Sequence, residues 1–380
     1  MTYSFMKKHF LSVVLISFVL LSFGCKKPPT SSDDNKPALK KEFVWSIDTL
    51  FFDYPYMPPD QINLHSIWGS SPTNVWAVGH SDIPSGRLWH YDGNKWTPDK
   101  NCPLYGFENG NSFILYPYAV TGFDAKNVFL ACDKYFSGTI DKDSAVVLKW
   151  DGINWEEVPY KDGKRIYGGF GWIEQQGKTR CWALAASGLV TKYENGFLSI
   201  EPRFTDYRLG IGQIAPLANG EVYVSAYKES LSVEQQPLGT MTKLYRRNID
   251  GKWEIAEEKF MAGTDFDGNG YGRGIFGVGN KLFTDNRGIW EKTILGWTKI
   301  LNMSYMGGAC LTSENDLWFY FRHELWHSEG KEWQLIDLPI LDKYPGSYLY
   351  GTGWSDSNEI FISLHYNGKT YILHGKTIYK

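Results

Sequence analysis

The chain has 380 residues with 39 Lys and Arg against 42 Asp and Glu, a net charge of −3 that leaves no basic footprint and argues against a nucleic-acid partner. Aromatic side chains make up 16% of it and glycine occurs 39 times, so there is ample material for a large core with many tight turns. Its five cysteines, Cys25, Cys102, Cys132, Cys181 and Cys310, are widely spaced and form no CxxC pair, which excludes a disulfide-built scaffold.

In chain order, the first element is an export signal. Lys7, Lys8 and His9 form a basic flank, and the apolar run Phe10 to Leu21 is too short to span a bilayer of ~20 helical residues. Ser22-Phe23-Gly24-Cys25 follows, with a small residue directly before the cysteine. Residues 1–24 are therefore expected to be removed, leaving Cys25 as the lipid attachment site of an outer-membrane lipoprotein. Residues 25–42 then read as lipidated cysteine and tether. Lys26 to Lys40 carries prolines, serines and charges but almost no large apolar side chain, and cannot bury enough surface to fold.

From residue 43 to 380 the dominant signal is internal repetition, which has to be read before any local motif. One unit runs Leu64 to Gly69, a Pro-Thr-Asn turn, Val75 to Gly79, then Leu88-Trp89-His90-Tyr91-Asp92-Gly93-Asn94-Lys95-Trp96. The runs are rich in β-branched and aromatic residues and the breaks are turn formers, so each unit predicts four short antiparallel strands. The turn glycines Gly93, Gly152, Gly196, Gly251, Gly296, Gly330 and Gly375 recur on average every 47 residues, the period of a propeller blade. The expected fold is all-β: a single β-propeller of seven four-stranded blades. The last unit lacks an outermost strand, and Phe43 to Asp48 is a spare one. Residues 43–50 are thus expected to complete the blade of residues 348–380, closing the ring and hiding two sheet edges.

The repeat, approximately I-W-G-S-S, N-V-W-A-V-G and H-Y-D-G-x-x-W, resembles that of uncharacterised bacterial propeller lipoproteins and, more distantly, the kelch and WD40 families. That resemblance covers residues 43–380 and implies a fold; it is nearly silent on activity, since propellers host many functions.

Three local patterns offer chemistry. His323-Glu324-Leu325-Trp326-His327 matches the zinc-peptidase HExxH motif, which needs a helix to bring both imidazoles to one metal. The repeat aligns it with Arg87 to Gly93, a strand, where residues four apart lie ~13 Å from one another. Asp265, Asp267 and Asn269 match the first half of a calcium loop, although Phe276 stands where an EF-hand needs Glu. Finally, the expected innermost strands, Tyr167 to Trp172 among them, contain no Asp or Glu, so the carboxylate pair of a glycan hydrolase is missing there.

Aromatics instead gather at the entries to these strands: Tyr118, Tyr167, Tyr207, Tyr271, Tyr305 and Tyr348, with Tyr105, Phe113 and Tyr116 in a long loop after the first blade. Flat amphipathic rings suit a glycan or protein ligand. The expected function is a non-catalytic binding module, lipid-anchored in the cell envelope, for protein or carbohydrate. A glycan hydrolase or lyase using loop carboxylates and a purely structural envelope component are the alternatives.

Overall fold

The computed structural model describes residues 41–50, 61–108, 110–137, 144–185, 187–203, 210–231, 237–262, 274–303 and 307–379. Cys25 and the segment before residue 41 lie outside the described residues.

Seven antiparallel sheets follow one another along the chain. Blade 1 holds β2 (Ile62–Ser71), β3 (Asn74–Ser81), β4 (Leu88–Tyr91) and β5 (Trp96–Pro98). Blade 2 holds β6 (Tyr105–Glu108), β7 (Asn111–Asp124), β8 (Asn127–Phe136), β9 (Ser144–Trp150) and β10 (Trp155–Glu157). Blade 3 holds β11 (Phe170–Gln176), β12 (Arg180–Ala185), β13 (Val190–Glu194) and β14 (Phe197–Ile200), and blade 4 holds β15 (Gly210–Pro216), β16 (Val222–Leu231), β17 (Pro237–Arg247) and β18 (Trp253–Ala262). Blade 5 consists of β19 (Ile275–Val278), β20 (Lys281–Asp285), β21 (Ile289–Thr293) and β22 (Gly296–Leu301); blade 6 of β23 (Gly308–Ser313), β24 (Asp316–Phe321), β25 (Glu324–Ser328) and β26 (Gln334–Leu335). Blade 7 combines β27 (Tyr348–Ser355), β28 (Glu359–Tyr366) and β29 (Lys369–Tyr379) with β1 (Lys41–Thr49) on the outside.

The N-terminal strand therefore closes the last blade, as the repeat predicts. Trp45 packs on Gly375, and Ser46 Oγ donates to the His374 carbonyl, so residue numbers fall along β1 as they rise along β29. The innermost strands β2, β7, β11, β15, β19, β23 and β27 each touch the next, and β27 touches β2, which completes the ring.

The core lies between blades, not within them, because each sheet must cover both faces. Seven apolar clusters correspond to the seven interfaces; Trp89, Tyr91 and Trp96 of blade 1, for example, pack with Phe361 and Ile372 of blade 7. Each such side chain contributes about 1.5–3 kcal/mol by leaving water. The Trp-Gly pair of the repeat has a packing reason. Trp68 lies against Gly122 of the next blade and Trp354 against Gly69, where a Cβ would sit 2.5 Å and 3.0 Å from the rings.

Polar ties recur with the repeat. A tryptophan in the first two positions of an outer strand donates its indole N–H to an acid of the preceding blade: Trp96 to Asp48 at 3.4 Å, Trp155 to Asp99 at 3.0 Å, Trp253 to Glu201 at 3.2 Å and Trp297 to Glu257 at 2.9 Å. Between blades 2 and 3 both partners are replaced together, by Val158 and Phe197. A second motif packs a histidine against an aromatic ring and pairs it with the residue two before that ring. His90 lies on Trp76 with Asn74, His327 on Trp318 with Asp316, and His374 on Phe361 with Glu359.

His327 is thereby accounted for. Glu324–Ser328 is strand, His327 is buried with Nε2 2.9 Å from Asp316, and His323 is exposed at the turn before it. The HExxH spacing is a by-product of the blade repeat.

Candidate functional site

Strand alternation gives the ring two faces. One carries the first-to-second and third-to-fourth strand turns of each blade; the other, the entry face, carries the second-to-third turns and the connections between blades. The predicted aromatic residues that are described belong to the entry face. Tyr118, Tyr167 and Tyr348 are described there, whereas Tyr207, Tyr271 and Tyr305 lie outside the described residues, as do Asp265, Asp267 and Asn269 of the calcium-like loop.

Three positions depart from expectation. Tyr105, Phe113 and Tyr116 are not in a loop: β6 folds back on the long first half of β7, giving blade 2 a fifth strand. Tyr167 precedes its strand, for β11 begins at Phe170 and runs on to Gln176. The innermost strand of blade 3 consequently does hold an acid, Glu174, contrary to the reading that these strands lack carboxylates. The aromatic spacing of Tyr167 to Trp172 mimics the repeat, but a bulge between Phe170 and Trp172 displaces the register.

Blade 2 rises as a three-stranded β6-β7-β8 extension. Tyr105 pairs with Ile114 and Ile114 with Tyr135, so these three side chains share one face, joined by Phe107 two residues beyond Tyr105. All four are exposed, Phe107 at 83% and Tyr105 at 71%. The other face is closed by Lys134, buried over the rings of Phe113 and Phe136 and ion-paired with Glu108 and Glu157. Inverting this sheet would put the buried Lys134 and its ion pairs in water and four exposed apolar groups inside, so its polarity is fixed.

The surface continues toward blade 1. Tyr116 touches Tyr135 edge-on at 5.4 Å, and the Arg87 guanidinium lies 4.0 Å from the Tyr116 ring while donating to the Leu115 carbonyl. Two residues on, Tyr118 stacks on His65 of β2 at 5.5 Å. Burial, reinforced by Asp133, raises the Tyr118 hydroxyl above its ordinary range, and burial with His80 nearby lowers His65. Both rings are thus held neutral. Blade 7 adds Tyr348 stacked on His365 at 5.2 Å with Tyr350 alongside; both tyrosines are exposed. Blades 7, 1 and 2 are consecutive in the ring, so their aromatics form one arc.

Glu174 meets solvent although it lies on an innermost strand, which places it along the central channel. Protein surrounds it there, and desolvation pushes its carboxyl up to about 7. Desolvation by the surrounding protein is the sole cause, with no neighbouring carboxylate adding to it. Among the described residues no group of three or more His, Cys, Asp or Glu side chains is arranged to hold a metal ion.

No family model matches the chain, and no curated protein matches it. Solved structures do. The chain is similar to YCF48 bound to D1 peptide, at 14% identity and a TM-score of 0.51, over 90% of this chain and 98% of that one. It is also similar to the WD40 β-propeller domain of Doa1 (11% identity, 84% and 94% covered, TM-score 0.46) and to the β-propeller domain of Myceliophteria thermophila Cps50 (Swd1) (12%, 84% and 99%, TM-score 0.47). At these identities the likeness is one of fold: an all-β, seven-bladed propeller.

Proposed function

We propose that this chain is a non-catalytic binding module of the cell envelope, tethered through a lipid on Cys25, that takes an extended protein segment on its entry face. The observation that carries this reading is β6. It hangs on the edge of β7 away from β8, among the described residues no strand pairs with its other edge, and it presents Tyr105 and Phe107 on one face. A peptide adding as a further strand would gain main-chain hydrogen bonds from that edge and pockets for alternate side chains from the Tyr105, Ile114 and Tyr135 row. The solved complex of YCF48 with a peptide is in keeping with a propeller of this shape taking such a ligand.

A glycan is the second reading, supported by the flat Tyr348 and His365 pair with Tyr350 beside it. Hydrolysis has less support. Glycosidases pair two carboxylates about 5–10 Å apart, and the elevated pKa of Glu174 arises without one.

The deciding experiment exposes the mature chain to peptide and glycan arrays, alongside a variant with Tyr105, Phe107 and Tyr135 changed to Ala. Peptide capture lost in the variant supports strand addition. Glycan capture that survives it and disappears in Tyr348→Ala moves the site to blade 7, and release of a shortened glycan overturns the non-catalytic reading.

A further inference from the structure

We propose that the face opposite the entry face is a bilayer-contacting surface, on which the ring rests with its aromatic arc directed away from the membrane. The proposal extends the tether reading above and depends on it for its orientation.

The third-to-fourth strand turns of consecutive blades carry large apolar side chains at their tips. Ile153 between β9 and β10 is 73% exposed, and Ile249 between β17 and β18 is 72% exposed. Ile294 and Leu295 between β21 and β22 are fully in solvent, at 103% and 93%, and Phe197 at the start of β14 is half exposed. A turn needs none of these: the equivalent tips of blades 1 and 6 hold Asn94 and Lys95, and Lys331 and Glu332. Scattered apolar residues on a surface need no explanation. Four adjacent blades with the same exception on one rim do.

The chain itself indicates what covers that rim. Strand β1 is antiparallel to β29, so Phe43 stands at the end of the outermost strand where the third-to-fourth turns lie. The chain that would lead to a lipid on Cys25 joins β1 at this end of the strand. Lys26 to Lys40 spans at most ~50 Å when extended, which lets the face reach a membrane that holds the lipid. Blade 7 and the arc of blades 2 to 5 lie across the ring from one another. A tether on one side and apolar tips on the other would hold the ring level, whereas either alone would leave it free to tilt.

The contact is apolar in nature. The cavity at the base of the Ile249 turn, about 370 Å³, is lined by Arg180, Lys192 and Arg247, but these cations already pair with Glu194 and Glu201. Shallow insertion of Ile and Leu tips gives affinity that scales with buried apolar area and varies little with salt, unlike a polybasic patch.

The test uses the full mature chain purified with its lipid and, as Cys25→Ser, without it. Single cysteines introduced as Leu295→Cys or Lys369→Cys, the latter at the entry face, carry an environment-sensitive fluorophore; Cys102, Cys132, Cys181 and Cys310 are buried and stay unlabelled. On vesicles of phosphatidylethanolamine and phosphatidylglycerol, the label at 295 is expected to shift to the blue and to lose at least about half of its quenching by iodide, while the label at 369 keeps its own. Replacing Ile153, Ile249, Ile294 and Leu295 by Ser is expected to lower vesicle partition of the unlipidated chain at least about tenfold, with thermal unfolding unchanged. Equal quenching at both positions, or protection of position 369, overturns the proposal, as does a blue shift that grows with protein concentration and ignores vesicles. Mass spectrometry of the N-terminus separates the two readings: an unlipidated natural chain whose tips still bind vesicles removes the tether and keeps the face, and a lipidated chain with both labels freely quenched does the reverse.

Discussion

Asp48 Oδ2 lies 3.0 Å from His374 Nδ1, a residue 326 positions later in the chain. The same oxygen accepts the Trp96 indole N–H, so one carboxylate of β1 joins the closing strand to blade 7 and to blade 1. Asp48→Ala leaves two donors short at a site where His374 is nearly inaccessible. The expected loss is about 1–3 kcal/mol of unfolding free energy, read from the urea midpoint. Amide exchange should rise first in β1 and β29. An unchanged midpoint would mean that β1 is held by apolar packing alone.

Trp155→Phe keeps the ring against Trp76 and Trp150 but removes the N–H that reaches Asp99. The cost is expected to be about 1–2 kcal/mol, that of leaving a partly buried carboxylate without a donor. Phe197→Leu, at the interface where Val158 replaces the acid, should cost less than half as much. Comparable losses at both positions would show that the indole bond adds nothing to packing.

Gly122→Ala brings a methyl group 2.5 Å from the Trp68 ring and within 2.7 Å of the Asn127 carbonyl. Overpacking of this kind destabilises by about 1–3 kcal/mol, measurable as a lowered thermal midpoint, with blades 1 and 2 showing the largest amide shifts.

Glu174 contributes a pH dependence of known sign. Its folded carboxyl titrates at about 7, above the ~4.3 of an unfolded chain. Below the unfolded value both states hold the proton and burial carries no penalty. As pH rises toward 7 the unfolded chain ionises first and stability falls, and above 7 the penalty is fully present. Glu174→Gln is therefore expected to stabilise at pH 8 and to be near neutral at pH 4. A difference of midpoints that is flat between these values would remove Glu174 from the channel environment.

On the entry face, stability and recognition separate. Tyr118→Ala removes a half-buried ring stacked on His65 and should cost about 1–3 kcal/mol. Tyr105→Ala and Phe107→Ala remove exposed rings and should shift the urea midpoint by less than about 0.5 kcal/mol while abolishing peptide capture.

Much of the ring was legible because a repeat states each blade seven times. The spare Phe43 to Asp48 strand declared its place because the last unit lacks an outermost strand. Reading failed where the period is broken by insertion or bulge. β6 has no counterpart in other blades, so Tyr105, Phe113 and Tyr116 read as loop residues, yet the alternation of Tyr105 and Phe107 with Gly106 and Glu108 is already that of a strand. Glu174 was lost to a bulge at Gly171 that no composition signals. The carboxylates facing tryptophans were visible in principle: Asp48, Asp99, Glu201 and Glu257 each follow an outer-strand aromatic by three or four positions. Only the fold shows that each one serves the neighbouring blade.

Closure by β1 also sets an order of events. The outer strand of blade 7 precedes blades 1 to 6 in the chain, and the edge it must cover, β29, follows them. Blades 1 to 6 can form in sequence behind it, but the ring stays open, with β1 unpartnered, until β29 is available. Ring closure thus waits for β29, and a product interrupted before that strand would leave bare sheet edges instead of a finished ring.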